Sequence, residues 1–405
     1  MVERKNDYNA RAGTYVRQPG GYRAFIPAPL PPEPVVEITG ELQVLLSQAD
    51  LALGRLDGSI QTLPHPDLFV LMYVRKEAVL SSQIEGTQSS LQDLLAAEAK
   101  IFAPNRANDV GEVVNYVGAM NHGLKRLSEI PVSTRLIREI HAELLQGTRG
   151  SHLTPGELRR SQNWIGPAGC TLQEAFFVPP PPHQLAENMS QLERFIHSNT
   201  ELPLLVKIGL AHAQFETIHP FLDGNGRVGR LLITFLLCER KVLQEPVLYL
   251  SWFFKRHRPL YYEELQSVRD AGTWEQWLTF FLRGVMEVSE QATATARRIL
   301  ALREEHRGKI TDNFGRTAAN GLRVLEHIYE YPIVSVSDIQ RLTGTTFTAA
   351  NNLVARITDC GILHEFTGQT RNRRFIYRDY IDLFHDAEPE IAVRSPVSHD
   401  ATSEN

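Results

Sequence analysis

From Leu42 to Leu56, and again from Pro66 to Ile84, apolar residues recur at spacings of three and four, as in Leu68, Leu71, Met72 and Val79. That spacing predicts two amphipathic helices. The same pattern returns over residues 108–127, 133–146, 184–198, 203–217, 227–240, 260–270 and 274–303. Residues 37–303 therefore read as an all-helical domain with one irregular insertion. The insertion lies between Gly147 and His183, where glycines and prolines cluster, and the short run Ala175-Phe176-Phe177-Val178 suggests a hairpin or irregular loop lying over the helices as a lid.

The two ends of the chain differ from this body. Residues 1–36 are rich in Pro, Gly and Arg and finish on Pro27, Pro29, Pro31, Pro32 and Pro34. They read as an extended arm, with no core before about Ile38. After the charged stretch Arg303 to Lys309, the apolar residues Leu322, Val324, Leu325 and Ile328 predict one helix. Val336 to Leu342, after Ser335, and Thr348 to Ile357 predict two more, followed by Gly361-Ile362-Leu363 and a strand-turn-strand ending in Phe375-Ile376-Tyr377. Three short helices and a hairpin over 310–384 describe a winged helix-turn-helix. The polar residues 385–405 read as a disordered tail.

Composition narrows the class. At 405 residues, with 42% apolar and 22% charged positions, the chain is long enough for two or three soluble domains. A net charge of −5 argues against a chain-wide footprint for nucleic acid and leaves room for a local basic patch. Three widely spaced cysteines, Cys170, Cys238 and Cys360, fit neither a disulfide framework nor a zinc cluster, so a reducing cytoplasm is expected. The polar, arginine-containing first residues lack the apolar stretch of a secretory signal. The apolar run Leu231 to Cys238 is too short to cross a bilayer, so no membrane contact is expected.

The chemistry concentrates in His219-Pro220-Phe221-Leu222-Asp223-Gly224-Asn225-Gly226-Arg227-Val228-Gly229-Arg230. Glycines flanking Asn225 permit a tight turn whose N–H groups converge, and the helix that follows adds its free N-terminal amides, so the segment reads as an anion nest. Arg227 and Arg230 share a helix face and can grip different phosphates of a polyphosphate. His219 can take a proton from an attacking hydroxyl, and Asp223 supplies a hard oxygen ligand for magnesium. Together they describe nucleotidyl or phosphoryl transfer by in-line displacement. Taken singly, a histidine before proline or a Gly-Asn-Gly turn is more often only structural.

This segment resembles the pattern His-Pro-Phe-x-Asp/Glu-Gly-Asn-Gly-Arg-x-x-Arg of Fic-domain proteins at every fixed position. The resemblance implies an all-helical Fic fold with a β-hairpin flap. It also implies transfer of AMP from ATP, with Mg2+ or Mn2+, to a Ser, Thr or Tyr hydroxyl of a target protein and of the chain itself, releasing pyrophosphate. His219 would be the base, Asp223 the metal ligand and Gly224 to Gly226 the anion hole. Arg227 and Arg230 would hold the outer phosphates, with Gly229 between them. The resemblance extends to Pro155-Gly156-Glu157-Leu158-Arg159 through Asn163-Trp164-Ile165-Gly166, and to a flap at Phe177, Val178 and Pro179 that would pin the target peptide. Tyr261 and Tyr262 could border the adenine or pack in the core. Residues 131–303 would be the catalytic core and 37–130 a preceding helical region.

Within that preceding region, Ser81-Ser82-Gln83-Ile84-Glu85-Gly86 resembles the inhibitory pattern Ser/Thr-x-x-x-Glu-Gly/Asn of Fic proteins whose brake lies N-terminal to the core. Glu85 paired to Arg230 would withdraw the guanidinium from the γ-phosphate. Relatives also use this glutamate to remove AMP. Two other readings stay open at this level: a DNA-binding regulator whose Fic-like body senses nucleotide, and a metal hydrolase on His212, Glu216 and His219. The sequence also leaves open whether residues 310–384 contact DNA or protein, and whether the chain forms a homodimer.

Overall fold

The computed structural model describes residues 11–63, 66–100, 107–148, 150–167 and 169–385. The predicted tail lies almost wholly outside them. The body is a stack of helices: α1 (Gly40–Gln61), α2 (Pro66–Ile84), α3 (Leu91–Glu98), α4 (Ala107–Arg126), α5 (Thr134–Leu144), α6 (Leu185–His197), α7 (Leu204–Ile218), α8 (Asn225–Glu239), α9 (Ser251–Arg256), α10 (Arg258–Ala271) and α11 (Trp274–Phe314). Helix α7 is the hub. Its residues from Leu205 to Ile218 are buried all round except Lys207, as expected of a helix with neighbours on every side. It packs against α6, α8, α10 and α11, while α1 lies along α11.

The short helix α3 has no long apolar periodicity to announce it. It is held at its start by a capping box, in which the Ser90 hydroxyl accepts from Asp93 N and the Asp93 side chain accepts from Ser90 N. Among the described residues, no helix is long and apolar enough to cross a membrane.

Two expectations change and a third narrows. Over the described part of the expected arm, residues 11–36 are not a free extended chain: Gly13–Arg17 (β1) and Arg23–Pro27 (β2) pair antiparallel. Ala12, Ala24 and Phe25 are buried, so the core begins well before Ile38. The reason is an internal ion pair and a backbone link. Buried Arg11 grips Glu275 through both Nη atoms, at 3.0 and 2.9 Å, and Phe25 N donates to Val178 O at 2.8 Å.

Of the two forms expected for the lid, a hairpin or an irregular loop, the described residues show the irregular one. Between residues 147 and 183 the described residues show a single bridge, Ile165 with Phe177, each N–H donating to the other's carbonyl. Pro179 to Pro182 follow and have no N–H to continue a ladder. The hairpin beside the lid is β1–β2.

The charged stretch 303–309 is not a break either, since α11 runs through it to Phe314. Its last turns carry buried His306, Ile310 and Phe314, so the helix itself supplies part of the next core. That next unit comprises α12 (Ala318–Glu330), β3 (Ile333–Ser335), α13 (Val336–Thr343), α14 (Phe347–Asp359), β4 (His364–Glu365), β5 (Arg374–Ile376) and α15 (Arg378–His385), with an antiparallel sheet in the order β3-β5-β4. Arg303 Nη2 donates to Glu326 Oε1 at 2.6 Å and His306 Nδ1 meets Tyr377 Oη at 2.8 Å, tying the end of α11 to it.

Candidate functional site

Helix α7 stops at His219, which takes a left-handed conformation (φ 49°, ψ 60°) before Pro220. This is a common way to end a helix and turn the chain, although rarely with histidine. The turn is then fixed from within. Asn225 Oδ1 accepts from Phe221 N and Asn225 Nδ2 donates to Phe221 O, both at 2.8 Å, and Asn163 Nδ2 donates to the same carbonyl at 2.8 Å. His141 stacks flat on Phe221, with ring centroids 3.7 Å apart.

His141 Nδ1 accepts from Gly156 N at 2.8 Å, so its proton is on Nε2, which donates to Asp223 O at 3.0 Å. Burial pushes this histidine's pKa down to about 4, consistent with a neutral, purely positioning ring. Gly224 has φ 79°, which a side chain would strain, and α8 begins directly after it. The first amides of α8 therefore have no partner within their own helix and form the rim of the turn.

Arg230 and Glu85 meet here. Arg230 Nε donates to Ser81 Oγ at 2.8 Å, and Nη2 donates to Ser81 O at 2.9 Å and to Glu85 Oε1 at 2.7 Å. The Glu85 carboxylate also lies over Gly226 so closely that a β-carbon there would collide with it. Burial alone would raise the Glu85 pKa, but the charge and hydrogen bond of Arg230, followed by Arg227 and His219, hold it below the ordinary carboxylate range. Gly86 leaves the helix with φ 99°.

Arg227, expected beside Arg230 as a phosphate ligand, instead points inward. Its side chain is 1% exposed, with Nη1 3.4 Å from Glu112 Oε2 and Nη2 3.6 Å from Asp223 Oδ1. Glu112 lies on α4, so Arg227 faces that helix. Asp223 keeps a third of its side chain exposed and accepts from Gly224 N on Oδ1 at 2.7 Å.

His219 lies in a cationic setting. Its pKa is lowered to about 4, by burial first and then by Arg269 and Arg159. Arg159 is buried and donates to His219 O at 2.9 Å and Pro180 O at 2.6 Å. Arg269 donates to Thr217 Oγ1 at 3.2 Å and Glu216 O at 3.3 Å, with its guanidinium 3.9 Å above the Phe177 ring. The His219 Nδ1 faces Glu216 O at 3.4 Å, an arrangement that favours the proton on Nδ1 and leaves Nε2 as the basic nitrogen. Next to this, Glu216 is buried and its pKa is raised to about 7, by desolvation.

Other expected residues fall elsewhere. Tyr261 belongs to the core: it is buried, its hydroxyl meets His212 Nε2 at 2.9 Å, and it stacks on Phe254. Tyr262 is exposed, close enough to Glu85 and Arg230 that both charges act on its hydroxyl. Phe177, Val178 and Pro179 are buried rather than presented to a target, and the backbone of Phe177 is already paired with Ile165 while Val178 O is taken by Phe25. Phe176, at 71% exposure, is the outward member of that run.

The metal-hydrolase set does not assemble, because His212 Nδ1 is engaged by Gly229 O at 2.9 Å and Nε2 by Tyr261. In the C-terminal unit, Arg373 donates to Asn351 Oδ1 at 2.7 Å, and Arg341 and Arg374 both approach Asp338, at 2.6 and 3.5 Å.

Sequence reasoning missed Arg269, His141 and Glu112. All three are buried, and a buried charge or imidazole on an otherwise ordinary helix gives no local signal of the partner waiting for it.

Residues 43–125 match the Fic/DOC family N-terminal region and residues 131–237 match the Fic/DOC family. The protein adenylyltransferase Fic of Drosophila yakuba is 33% identical over 158 residues, which cover 37% of this chain and 28% of that protein. The protein of the same name from Drosophila melanogaster is 32% identical over 158 residues, with the same shares. The match thus spans little more than a quarter of these relatives' length. A Fic family protein from Desulfovibrio desulfuricans G20, known from its crystal structure, has the same fold, with a TM-score of 0.55 at 18% identity over 84% of this chain and 97% of that one.

Proposed function

We propose, from the Fic/DOC regions at residues 43–125 and 131–237 and from the geometry of the 219–230 turn, that the chain is a protein adenylyltransferase held in check by Glu85. The observation that carries the reading is the Arg230–Glu85 pair at 2.7 Å beside the Gly224–Gly226 turn, since it sets a carboxylate where a terminal phosphate would need the same guanidinium.

ATP would lie with its phosphates on the turn and on the first amides of α8. A target hydroxyl attacks the α-phosphorus, its proton passes to His219 Nε2, and the bond to the β-phosphate oxygen breaks, releasing pyrophosphate. The pKa of about 4 keeps His219 neutral across the physiological range, so Nε2 can accept a proton, as a weaker base than an ordinary histidine.

Asp223 is the residue that would hold Mg2+ or Mn2+. Its carboxylate is partly open to solvent, Oδ1 is steadied by Gly224 N, and Gly150, with no β-carbon, leaves Oδ2 its space. A single carboxylate suffices because magnesium takes its remaining ligands from phosphates and water. The ion would neutralise charge developing on the leaving pyrophosphate.

Incubation with ATP labelled in its α-phosphate, together with cell lysate, tests the proposal. Label should enter protein with Glu85→Gly and none with His219→Ala. Equal labelling by these two variants would refute it. Release of AMP from labelled protein by the wild type and not by Glu85→Gly would place the reverse reaction at the same residues.

A further inference from the structure

Helix α2 leads into the inhibitory residues at its C-terminal end and is bolted to the C-terminal unit from Phe69 to its middle at Lys76. Lys76 Nζ donates to Phe384 O at 2.9 Å, in the last turn of α15, and Arg75 Nη1 donates to Glu330 O at 2.9 Å, the final residue of α12. Each cation thus meets carbonyls that a helix C-terminus leaves without partners, at the negative end of its dipole. Arg75 also pairs with Glu98 at 2.7 Å. Around them, Phe69 packs on Tyr329 and Tyr73 packs edge-on against Phe384.

Both cations are buried, Arg75 at 3% and Lys76 at 5% exposure. The C-terminal unit supplies part of that burial and two of the carbonyls the cations hold, so moving it away opens this face of α2 to water and removes contacts that fix the helix in place. On the other side, α2 reaches the catalytic core through Glu77, which accepts from Ser251 N at 3.0 Å and Tyr116 Oη at 3.2 Å, and through Ser81 and Glu85 on Arg230.

After Pro66, no glycine or proline interrupts α2 before it ends at Ile84, so a displacement at Arg75 and Lys76 is not absorbed by a hinge within the helix. Glu85 is ten residues beyond Arg75, about 15 Å along a helical path.

We infer that the C-terminal unit sets the strength of the Glu85–Arg230 pair through α2, with Arg75 and Lys76 as positioning residues for Glu85. A partner that pulls the C-terminal unit from α2 releases Arg230 for phosphate. The inference rests on the reading of Glu85 as a brake.

The test compares wild type, Arg75→Met/Lys76→Met, Glu85→Gly and the triple variant, all full-length, for incorporation of label from ATP. The double variant should rise roughly five-fold or more over wild type, and the triple variant should equal Glu85→Gly, because a brake already removed cannot be loosened. A double variant at the wild-type rate beside an active Glu85→Gly overturns the inference. So does a triple variant slower than Glu85→Gly, which would show damage to the core.

Amide hydrogen exchange over residues 81–87 reads the coupling without reference to catalysis. Faster exchange there in the double variant is expected, and unchanged exchange overturns the coupling even if Glu85→Gly proves inactive and the adenylyltransferase reading itself fails.

Discussion

Arg230 Nη2 donates to Glu85 Oε1 at 2.7 Å, and Ser81 engages the other edge of the same guanidinium through Oγ at 2.8 Å. The two contacts differ in what they deny a phosphate. Glu85 brings negative charge, whereas Ser81 only occupies a donor, and its carbonyl remains on Nη2 at 2.9 Å when the hydroxyl is removed. A hydrogen bond to a charged partner is worth about 1.5–3 kcal/mol, so Glu85→Gly should raise AMP incorporation roughly 10- to 150-fold. Ser81→Ala should raise it by less. Initial rates of self-labelling measure both, and a larger effect from Ser81→Ala would reverse the assignment of roles.

The low pKa of His219 makes a second prediction. A base with an ordinary histidine pKa loses activity as the pH falls through about 6.5. His219, held at about 4 by burial and by Arg269 and Arg159, should stay unprotonated well below that. In the Glu85→Gly background, kcat/KM should be flat between about pH 5.5 and 8 and fall only toward pH 4. Arg269→Met, which removes one cation acting on the ring, should move the acid limb upward. An acid limb centred near 6.5 in the unaltered site would show that the ring is not desolvated as described.

The parts of this architecture visible in sequence are those with local causes. The long amphipathic helices announce themselves through periodicity, as α1 and α2 do, and the 219–230 turn through the glycine that its left-handed φ requires and the histidine, asparagine and arginines clustered around it. The pairing of Glu85 with Arg230 came only from resemblance, because nothing along the chain ties position 85 to position 230. Residues joined by tertiary contacts alone stayed hidden. Arg11 reads as an ordinary arm residue until Glu275, 264 positions away, gives it a reason to be buried. Tyr261 and Tyr262 are adjacent and chemically identical, and only packing sends one to His212 in the core and the other to the surface. The charged run 303–309 resembles a linker in composition, yet Ile310 and Phe314 beyond it are core residues.

Glu216 supplies a stability prediction whose sign is fixed by its surroundings. Desolvation raises its pKa to about 7, and its Oε1 has no hydrogen-bond partner among the described residues. In the unfolded chain the carboxyl ionises near its ordinary value of 4.5. Between 4.5 and 7 the folded state therefore holds a proton that the unfolded state has lost, and stability declines as the pH rises through that window. Glutamine has no proton to lose. Glu216→Gln should thus gain on the wild type as the pH rises, by up to about 3 kcal/mol at 1.36 kcal/mol per unit, most of it present at pH 8 and little at pH 5. Urea denaturation at the two pH values measures the difference, and a gain independent of pH would mean that Glu216 is ionised in the folded protein.

The N-terminal hairpin should be part of the stable fold rather than an appendage. Arg11 is buried and holds Glu275 with two hydrogen bonds while its Nε donates to Pro34 O at 2.9 Å. Replacing it with Met leaves Glu275 and the Pro34 carbonyl with fewer partners. Because the Glu275 side chain is 32% exposed and water can partly replace the guanidinium, the cost should be about 2–3 kcal/mol, below the 3–5 of a fully buried pair. Phe25→Ala, which empties a buried aromatic site against Tyr15 and Phe177, should cost about 3–5 kcal/mol. If residues 11–36 were a free arm, both substitutions would leave the urea midpoint unchanged, and trypsin would cut at Arg17 and Arg23 as fast in the native protein as in a denatured one. Slow cleavage at both sites in the wild type, quickened by Arg11→Met, is the expected result, since opening the hairpin then requires breaking the same contacts that hold Phe25 on the backbone of Val178.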